Sequence, residues 1–177
     1  TLASIIQKEG NEIDFAKVSA VLNNRLSRDM YLQCDSTIRY ITNLNNTMSL
    51  TEEQYSYDSL YNTYENKGII PSPICSPSLA AITAVLQPDQ EYVDGEYLYF
   101  CSTDSSNSEL VFAQTYQDHL ANVKKYKEYW EAYDETVKKT VLNKCEIIIK
   151  KSKNDKLTFR QLIRELILGA CDGVGKI

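Results

Sequence analysis

Apolar residues recur at helical spacing from the first positions of the chain. Leu2, Ile5 and Ile6 share one face of a helix that Gly10 should end as a left-handed cap. A second stripe, Phe15, Val18, Val21, Leu22 and Leu26, predicts another helix with Asp14 as its cap. The stretch Leu32 to Tyr40 starts extended and offers Asp35 or Ser36 as the cap of a short helix. Residues 42–60 are rich in Asn, Thr, Ser and Tyr and read as a loop with one or two helical turns, Thr51 and Gln54 being spaced as a capping box. Pro71, Pro73 and Pro77 stiffen the next loop, and Ser76-Pro77 is a suitable start for an Ala-rich helix over 78–86 that Pro88 ends.

Periodicity then switches. Tyr97 to Cys101 predicts a strand, Ser102 to Ser108 a turn and Leu110 to Phe112 the return of a hairpin. Thr115 and Asp118 open a long helix with Leu120, Val123, Tyr126, Trp130, Tyr133 and Val137 on one side. Ile147 to Ile149 form a short β-like run, Lys150 to Lys156 a polar turn, and Thr158 to Leu168 an amphipathic helix ending near Gly169. The pattern predicts an α+β fold, mainly helical, with a small antiparallel hairpin and a long C-terminal helix.

The 177 residues suffice for one domain with an appendage. Charge marks the division. Residues 136–177 hold ten Lys/Arg against four acids, so with an overall −5 the first 135 residues carry −11. We expect a catalytic or binding domain over 1–135 and a helical basic tail over 136–177. An acidic body argues against a nucleic-acid partner. The tail could meet an anionic surface or be a solvated face. The chain opens inside a helix without Met, so it reads as an N-terminally truncated fragment, with no run long enough to span a membrane.

Cysteine and histidine chemistry is restricted. The five cysteines, Cys34, Cys75, Cys101, Cys145 and Cys171, are scattered without a CxxC pair, which indicates neither a disulfide framework nor zinc. His119 is the single histidine, so any Ser-His-Asp or Cys-His machinery would have to use it. The dipole of its helix favours a neutral imidazole. Gly173-Val-Gly175 is no phosphate loop, because it follows a helix and lacks the third glycine.

Glu9 is the candidate of most interest. A carboxyl in the last turn of an apolar helix gains nothing from the dipole, and apolar neighbours would raise its pKa toward general-acid work. A solvated helix-end glutamate fits the same pattern. Asn23, Asn24 and Arg25 read as polar groups flanking the core. The tyrosines and amides around Tyr61-Asn62-Thr63-Tyr64 suit sugar recognition, and equally an ordinary tyrosine-rich loop. Asp35 with Glu9 could form a glycosidase carboxylate pair.

Four stretches in order resemble the YceG-like endolytic murein transglycosylases. They are Leu2-Ala-Ser-Ile-Ile-Gln-Lys-Glu9; Asn24-Arg-Leu26 with Leu32-Gln-Cys-Asp-Ser-Thr-Ile-Arg-Tyr40; Tyr61-Asn-Thr-Tyr64 with Gly68 and the proline loop; and Tyr97-Leu-Tyr-Phe100 with Phe112 to His119. The resemblance covers residues 1 to about 128. Three features depart from the family pattern: Gln7 where many members have Glu, and Ile70 and Ser72 where Pro and Gly are usual.

The resemblance implies cleavage of the β-1,4 bond between N-acetylmuramic acid and N-acetylglucosamine inside glycan strands, with Glu9 as the single general acid and base and a 1,6-anhydro product. No metal or cofactor is implied. Gln33, Asp35, Thr37, Tyr61, Asn62 and Tyr64 are expected to line the saccharide cleft, with Arg25 and Asp35 equally suited to a structural pair; His119 is matched without a role. The implied partners are peptidoglycan and cell-wall synthesis machinery. The implied location is the outer face of the cytoplasmic membrane, reached through an anchor outside this chain. A non-catalytic glycan-binding module and a two-carboxylate muramidase are the alternatives.

Overall fold

The computed structural model describes residues 1–43, 48–103 and 109–155, with the backbone alone at 148 and 151–155. Seven helices and two strands are found among them: α1 (Leu2–Glu9), α2 (Phe15–Ser27), α3 (Asp35–Thr42), α4 (Glu52–Tyr55), α5 (Leu79–Leu86), α6 (Gln90–Asp94), β1 (Tyr99–Ser102), β2 (Leu110–Ala113) and α7 (Tyr116–Asp155). The architecture is mainly helical with one two-stranded antiparallel sheet, as the periodicity predicts. The chain forms two compact units, residues 1–131 and 132–177.

The first unit is built around α1 and α2. Ile5, Ile6, Phe15, Val18 and Leu22 are buried together with Leu32, Cys34, Ile70, Ile74, Ala81, Ala84 and Leu110. These residues come from both helices, the segments preceding α3 and α5, α5 itself and the hairpin, so removing their apolar area from water binds all of these segments at once. α1 packs on α5, α2 and α3, while α2 packs on α5, α6 and β1. In the hairpin Phe100 pairs with Phe112 across the strands, their rings 5.9 Å apart.

Several predicted caps are made differently. Gly10 is extended (φ −151°) rather than left-handed, and the reason for glycine is space: a Cβ there would stand 3.3 Å from Leu110 Cδ1 and 3.5 Å from Val18 Cγ2. Asp14 precedes α2 but makes no side-chain cap. Its carboxylate instead accepts from Leu110 N–H (3.3 Å) and from Lys17 Nζ (3.3 Å), tying the hairpin to the start of α2. α3 is preceded by Cys34, so Asp35 lies in its first turn and neither Asp35 nor Ser36 is the cap. α5 starts from Ser78, whose hydroxyl accepts from Ala81 N–H (3.2 Å), two residues beyond the predicted Ser76.

The capping box at Thr51–Gln54 is formed as its spacing predicts, and before α7 the Thr115 hydroxyl accepts from Asp118 N–H and donates to the Asp118 carboxylate. The short helix α6, capped by Asp89, falls in a stretch too short for periodicity to reveal.

The β-like run Ile147 to Ile149 lies inside α7, as does most of the expected turn beginning at Lys150. Three β-branched residues lose only a few tenths of a kcal/mol each in a helix. A strand would need a neighbour to take its hydrogen bonds, and the described sheet pairs β1 with β2 alone. In the second unit Val141, Leu142, Ile147 and Ile149 are exposed. The tip of the predicted hairpin turn (104–108), Lys156, the Thr158–Leu168 helix, Gly169, Cys171 and the Gly173–Gly175 stretch lie outside the described residues. No helix among the described residues is long and apolar enough to cross a membrane.

Candidate active site

Glu9 ends α1 where the first turn of α3 meets it. One carboxylate oxygen accepts the Ser36 amide at 3.0 Å, so Glu9 supplies from a different helix the partner that α3 finds in no side chain of its own preceding residues. The residue keeps some exposure while protein surrounds its carboxyl, and this burial is the main reason its pKa is pushed up to about 7. The charge of Asp35 raises it further. The Ser36 hydroxyl and amide and the Arg39 guanidinium draw it back. A carboxyl balanced near neutrality can both hold and release a proton under mild conditions.

Asp35 is held in its own cluster. Tyr64 donates its phenol to Asp35 Oδ1 at 2.5 Å, and Arg39 Nη2 lies 4.0 Å from Oδ2. Burial raises the pKa of Asp35, while Tyr64 and Arg39 counter that rise by favouring the charged form. The ring of Tyr64 packs on that of Tyr55 (4.6 Å). Burial and the nearby Asp35 push the Tyr64 phenol far up and that of Tyr55 to about 12, so both stay protonated donors.

The bend leading into α3 is fastened from three sides. Gln33 adopts a left-handed conformation (φ 51°), unusual for a residue with a Cβ. Its amide donates to Thr63 O (3.0 Å), the next amide, Cys34, donates to Thr63 Oγ1 (2.9 Å), and Thr37 Oγ1 meets Thr63 Oγ1 at 3.0 Å. From α2, Arg25 donates Nη1 to Gln33 Oε1 and to the carbonyls of Tyr31 and Leu32, and its Nε to Leu98 O at 2.6 Å. These bonds offset the backbone strain and fix where Asp35 and Ser36 stand relative to Glu9.

The predicted site residues thus separate. Glu9, Asp35 and Tyr64 are brought together, and Gln33 is exposed beside them. Tyr61 lies in the adjoining loop, bonded through its hydroxyl to Ser72 Oγ (2.6 Å) with its ring 5.3 Å from that of Tyr40. Thr37 and Asn62 are fully buried. Thr37 also donates to Cys34 O, and Asn62 donates to the carbonyls of Tyr55 and Tyr57 while accepting from Tyr64 N–H. Both side chains are occupied in shaping the loops. The Arg25–Asp35 pair is not formed, because the Arg25 donors go to carbonyls and an amide while Asp35 turns to Tyr64 and Arg39.

Ser36, Thr63, Tyr55 and Arg39 belong to the same constellation. Ser36 and Arg39 fall at variable places in the recognised motif, so motif spacing passes over them. Asn24 and Arg25 flank the core as expected, Asn24 donating to the carbonyls of Tyr92 and Tyr97.

The departures from the family pattern have structural roles. Gln7 Oε1 accepts from Ser78 N–H at 2.8 Å, fastening the start of α5 to α1 on a contact separate from that of Glu9. Ile70 is buried in the core, and Ser72 bonds Tyr61. His119 stacks on Tyr99 (5.2 Å), over whose ring Arg25 also lies (5.1 Å). Burial and then the Arg25 charge lower its pKa, which favours a neutral ring. Among the described residues no group of three or more His, Cys, Asp or Glu is placed to hold a metal.

The YceG-like family matches residues 1–125. A Bacillus subtilis protein named endolytic murein transglycosylase is 37% identical over 127 residues, 71% of this chain and 33% of the relative. One of the same name from Streptococcus pneumoniae strain D39 is 36% identical over 128 residues, 70% of this chain and 22% of the relative. A crystal structure of a yceG-like protein from Listeria monocytogenes superposes with a TM-score of 0.61 at 34% identity, over 68% of this chain and 38% of that one. The chain therefore spans a third or less of the length of the curated relatives it matches.

Proposed function

The chain belongs to the YceG-like family, and from that premise we propose that it is the catalytic part of an endolytic lytic transglycosylase acting on peptidoglycan. The observation that carries the proposal is the Glu9 carboxyl, buried at the meeting of α1 and α3 with its pKa near 7. Both named relatives are endolytic murein transglycosylases, which supports the substrate class.

The reaction runs through one acid. Protonated Glu9 donates to O4 of the leaving N-acetylglucosamine as the bond to C1 of N-acetylmuramic acid breaks toward an oxocarbenium ion. The resulting carboxylate, received by the Ser36 amide, takes the proton from the muramoyl C6 hydroxyl. That oxygen attacks C1, giving the 1,6-anhydro sugar and returning Glu9 to its starting form. Water is neither consumed nor needed. The chemistry requires no metal or cofactor.

In this reading exposed Gln33 and half-buried Tyr61 contact sugar, while Tyr64 orients Asp35. Thr37 and Asn62 hold the loop that presents them. Gln7 bonds the start of α5, which supports Glu9 rather than position 7 as the acid. The expected setting is the outer face of the cytoplasmic membrane, where such an activity would terminate glycan strands beside the synthesis machinery.

Purified protein mixed with peptidoglycan should release anhydro-muropeptides, and Glu9→Gln should lower that release by about 10²–10⁴-fold. Full activity in Glu9→Gln would refute the assignment of the acid. Absence of anhydro product from the wild type, with glycan still bound, would make the chain a binding module.

Asp35 beside Glu9 keeps the two-carboxylate hydrolase as a second reading, since its charge acts on Glu9. The geometry works against that role, because Tyr64 and Arg39 engage both oxygens of the carboxylate that would have to attack C1. Heavy-oxygen water decides between them: label at the new reducing end means hydrolysis, and an unlabelled anhydro end means transglycosylation.

A further inference from the structure

Asp35 and Ser36, neighbours in the first turn of α3, act on Glu9 in opposite senses. The Asp35 charge acts on Glu9 from the residue next to Ser36, and its carboxylate is fixed by the Tyr64 phenol at 2.5 Å and by Arg39 at 4.0 Å. Ser36 places an amide 3.0 Å from a Glu9 oxygen. The Ser36 hydroxyl is buried and makes no hydrogen bond in this geometry, although it lies near enough to favour the charged carboxylate. A buried hydroxyl without a partner is costly, and a second bond to an ionised Glu9 would relieve that cost. The sequence order Asp35-Ser36 therefore sets a repelling charge beside two potential donors on one rigid turn.

We propose that the first turn of α3 sets the proton cycle of the site: Asp35, fixed by Tyr64 and Arg39, strengthens the hold on the proton that burial gives Glu9, and Ser36 receives Glu9 once the proton has left. Both residues are positioning residues and make no bond to the reacting sugar. The inference rests on Glu9 being the acid of the proposed reaction, but its physical core is the behaviour of Glu9 in the free protein.

The charged and titratable groups acting on this cluster are few. From α3 come Asp35 and Arg39, from α2 Arg25, from the segment before α3 Cys34, and from the loops Tyr64 and Tyr55. Burial pushes the Cys34 thiol well up, so it remains neutral, as do the tyrosines. Arg25 and Arg39 are cations throughout the working range. The charge that changes alongside Glu9 is that of Asp35. The two carboxyls therefore titrate as a coupled pair, with the Tyr64 bond favouring Asp35 as the one that ionises first.

The test reads Glu9 directly. With carboxyl-¹³C glutamate in the full chain, the Glu9 resonance is the one lost in Glu9→Gln, and its midpoint is followed against pH. Asp35→Asn should lower that midpoint by about half a pH unit or more, because a neighbouring negative charge is gone. Ser36→Ala should raise it, because a donor to the carboxylate is gone while the amide stays. Tyr64→Phe should move it in the Asp35→Asn direction by weakening the hold on the Asp35 charge, and it carries the test should Asp35→Asn fail to fold.

Activity on glycan strands gives the second readout. The alkaline limb of kcat should shift with each midpoint while KM changes less than about twofold. A Glu9 midpoint unmoved in both Asp35→Asn and Ser36→Ala overturns the inference. So does a rise in KM for Asp35→Asn with the limb in place, which would put Asp35 on the sugar. Lack of anhydro product in the wild type would instead overturn the reaction and leave the titration result standing.

Discussion

At the scale of single residues, the protonation of Glu9 carries a consequence for stability. Its carboxyl titrates near pH 7 in the folded chain against 4.5 unperturbed, so between these values the folded state binds the additional proton. Stability from this group is therefore greatest below about pH 4.5 and is lost as pH rises through about 7, the opposite of the usual paired carboxylate. Glu9→Gln removes the penalty. The variant should gain about 1–3 kcal/mol over wild type on going from pH 4.5 to pH 8, read from urea unfolding at the two pH values. An unchanged difference between the proteins would show that burial does not hold the proton on Glu9. The same residue was visible in the chain as an acid in an apolar helix end. Its partner Ser36 was not, because the bond spans 27 positions and joins a side chain to a backbone amide.

At the scale of elements, two glycines serve different physical purposes. Gly68 has φ 83° with open space around the missing Cβ, whereas Gly10 has an extended backbone where a Cβ would stand 3.3 Å from the Leu110 methyl. Gly68→Ala should cost about 1–2 kcal/mol through backbone conformation alone, and Gly68→Asn should recover part of it. Gly10→Ala meets only a side-chain end that can give way, so its cost should stay within about 1 kcal/mol. Urea unfolding of the three variants distinguishes the cases, and equal costs for Gly10→Ala and Gly68→Ala would contradict this division. Helices α1, α2 and α5 were legible from spacing. Their caps were less so: Asp14 serves Leu110, Gln7 serves Ser78 and Glu9 serves Ser36. Only Asp14 stood where it could have closed its own helix, and all three side chains satisfy a distant amide that local spacing does not reveal.

At the scale of the whole molecule, the buried cluster draws every member from residues 5–110, and the bonds around Glu9 lie between residues 9 and 98. Among the described residues, none beyond residue 131 is a member of that cluster. A chain ending at Glu131 should thus keep its melting midpoint within a few degrees and its anhydro-muropeptide release within about twofold. Calorimetry and product analysis check this, and loss of either property would show that the basic segment supports the site. By charge, −11 and +6 fall on either side of residue 135. The helix running through Ile147 to Ile149 had not been legible, because a short β-branched run has no periodicity long enough to choose between helix and strand.

Apolar spacing was enough to place α1, α2, the hairpin and the first part of α7, and four ordered motifs were enough to single out the family and to make Glu9 the candidate acid. Those properties are local, written in residues a few positions apart. The roles around Glu9 depended on which chain segments meet. Thr37 and Asn62, chosen as cleft residues from motif position, are buried among Cys34, Thr63, Tyr55 and Tyr57, and Arg25 turns to carbonyls rather than to Asp35. Glu9 itself became a buried acid near neutrality only when packing brought α3 against α1, because desolvation and the fields of Asp35, Ser36 and Arg39 act across space.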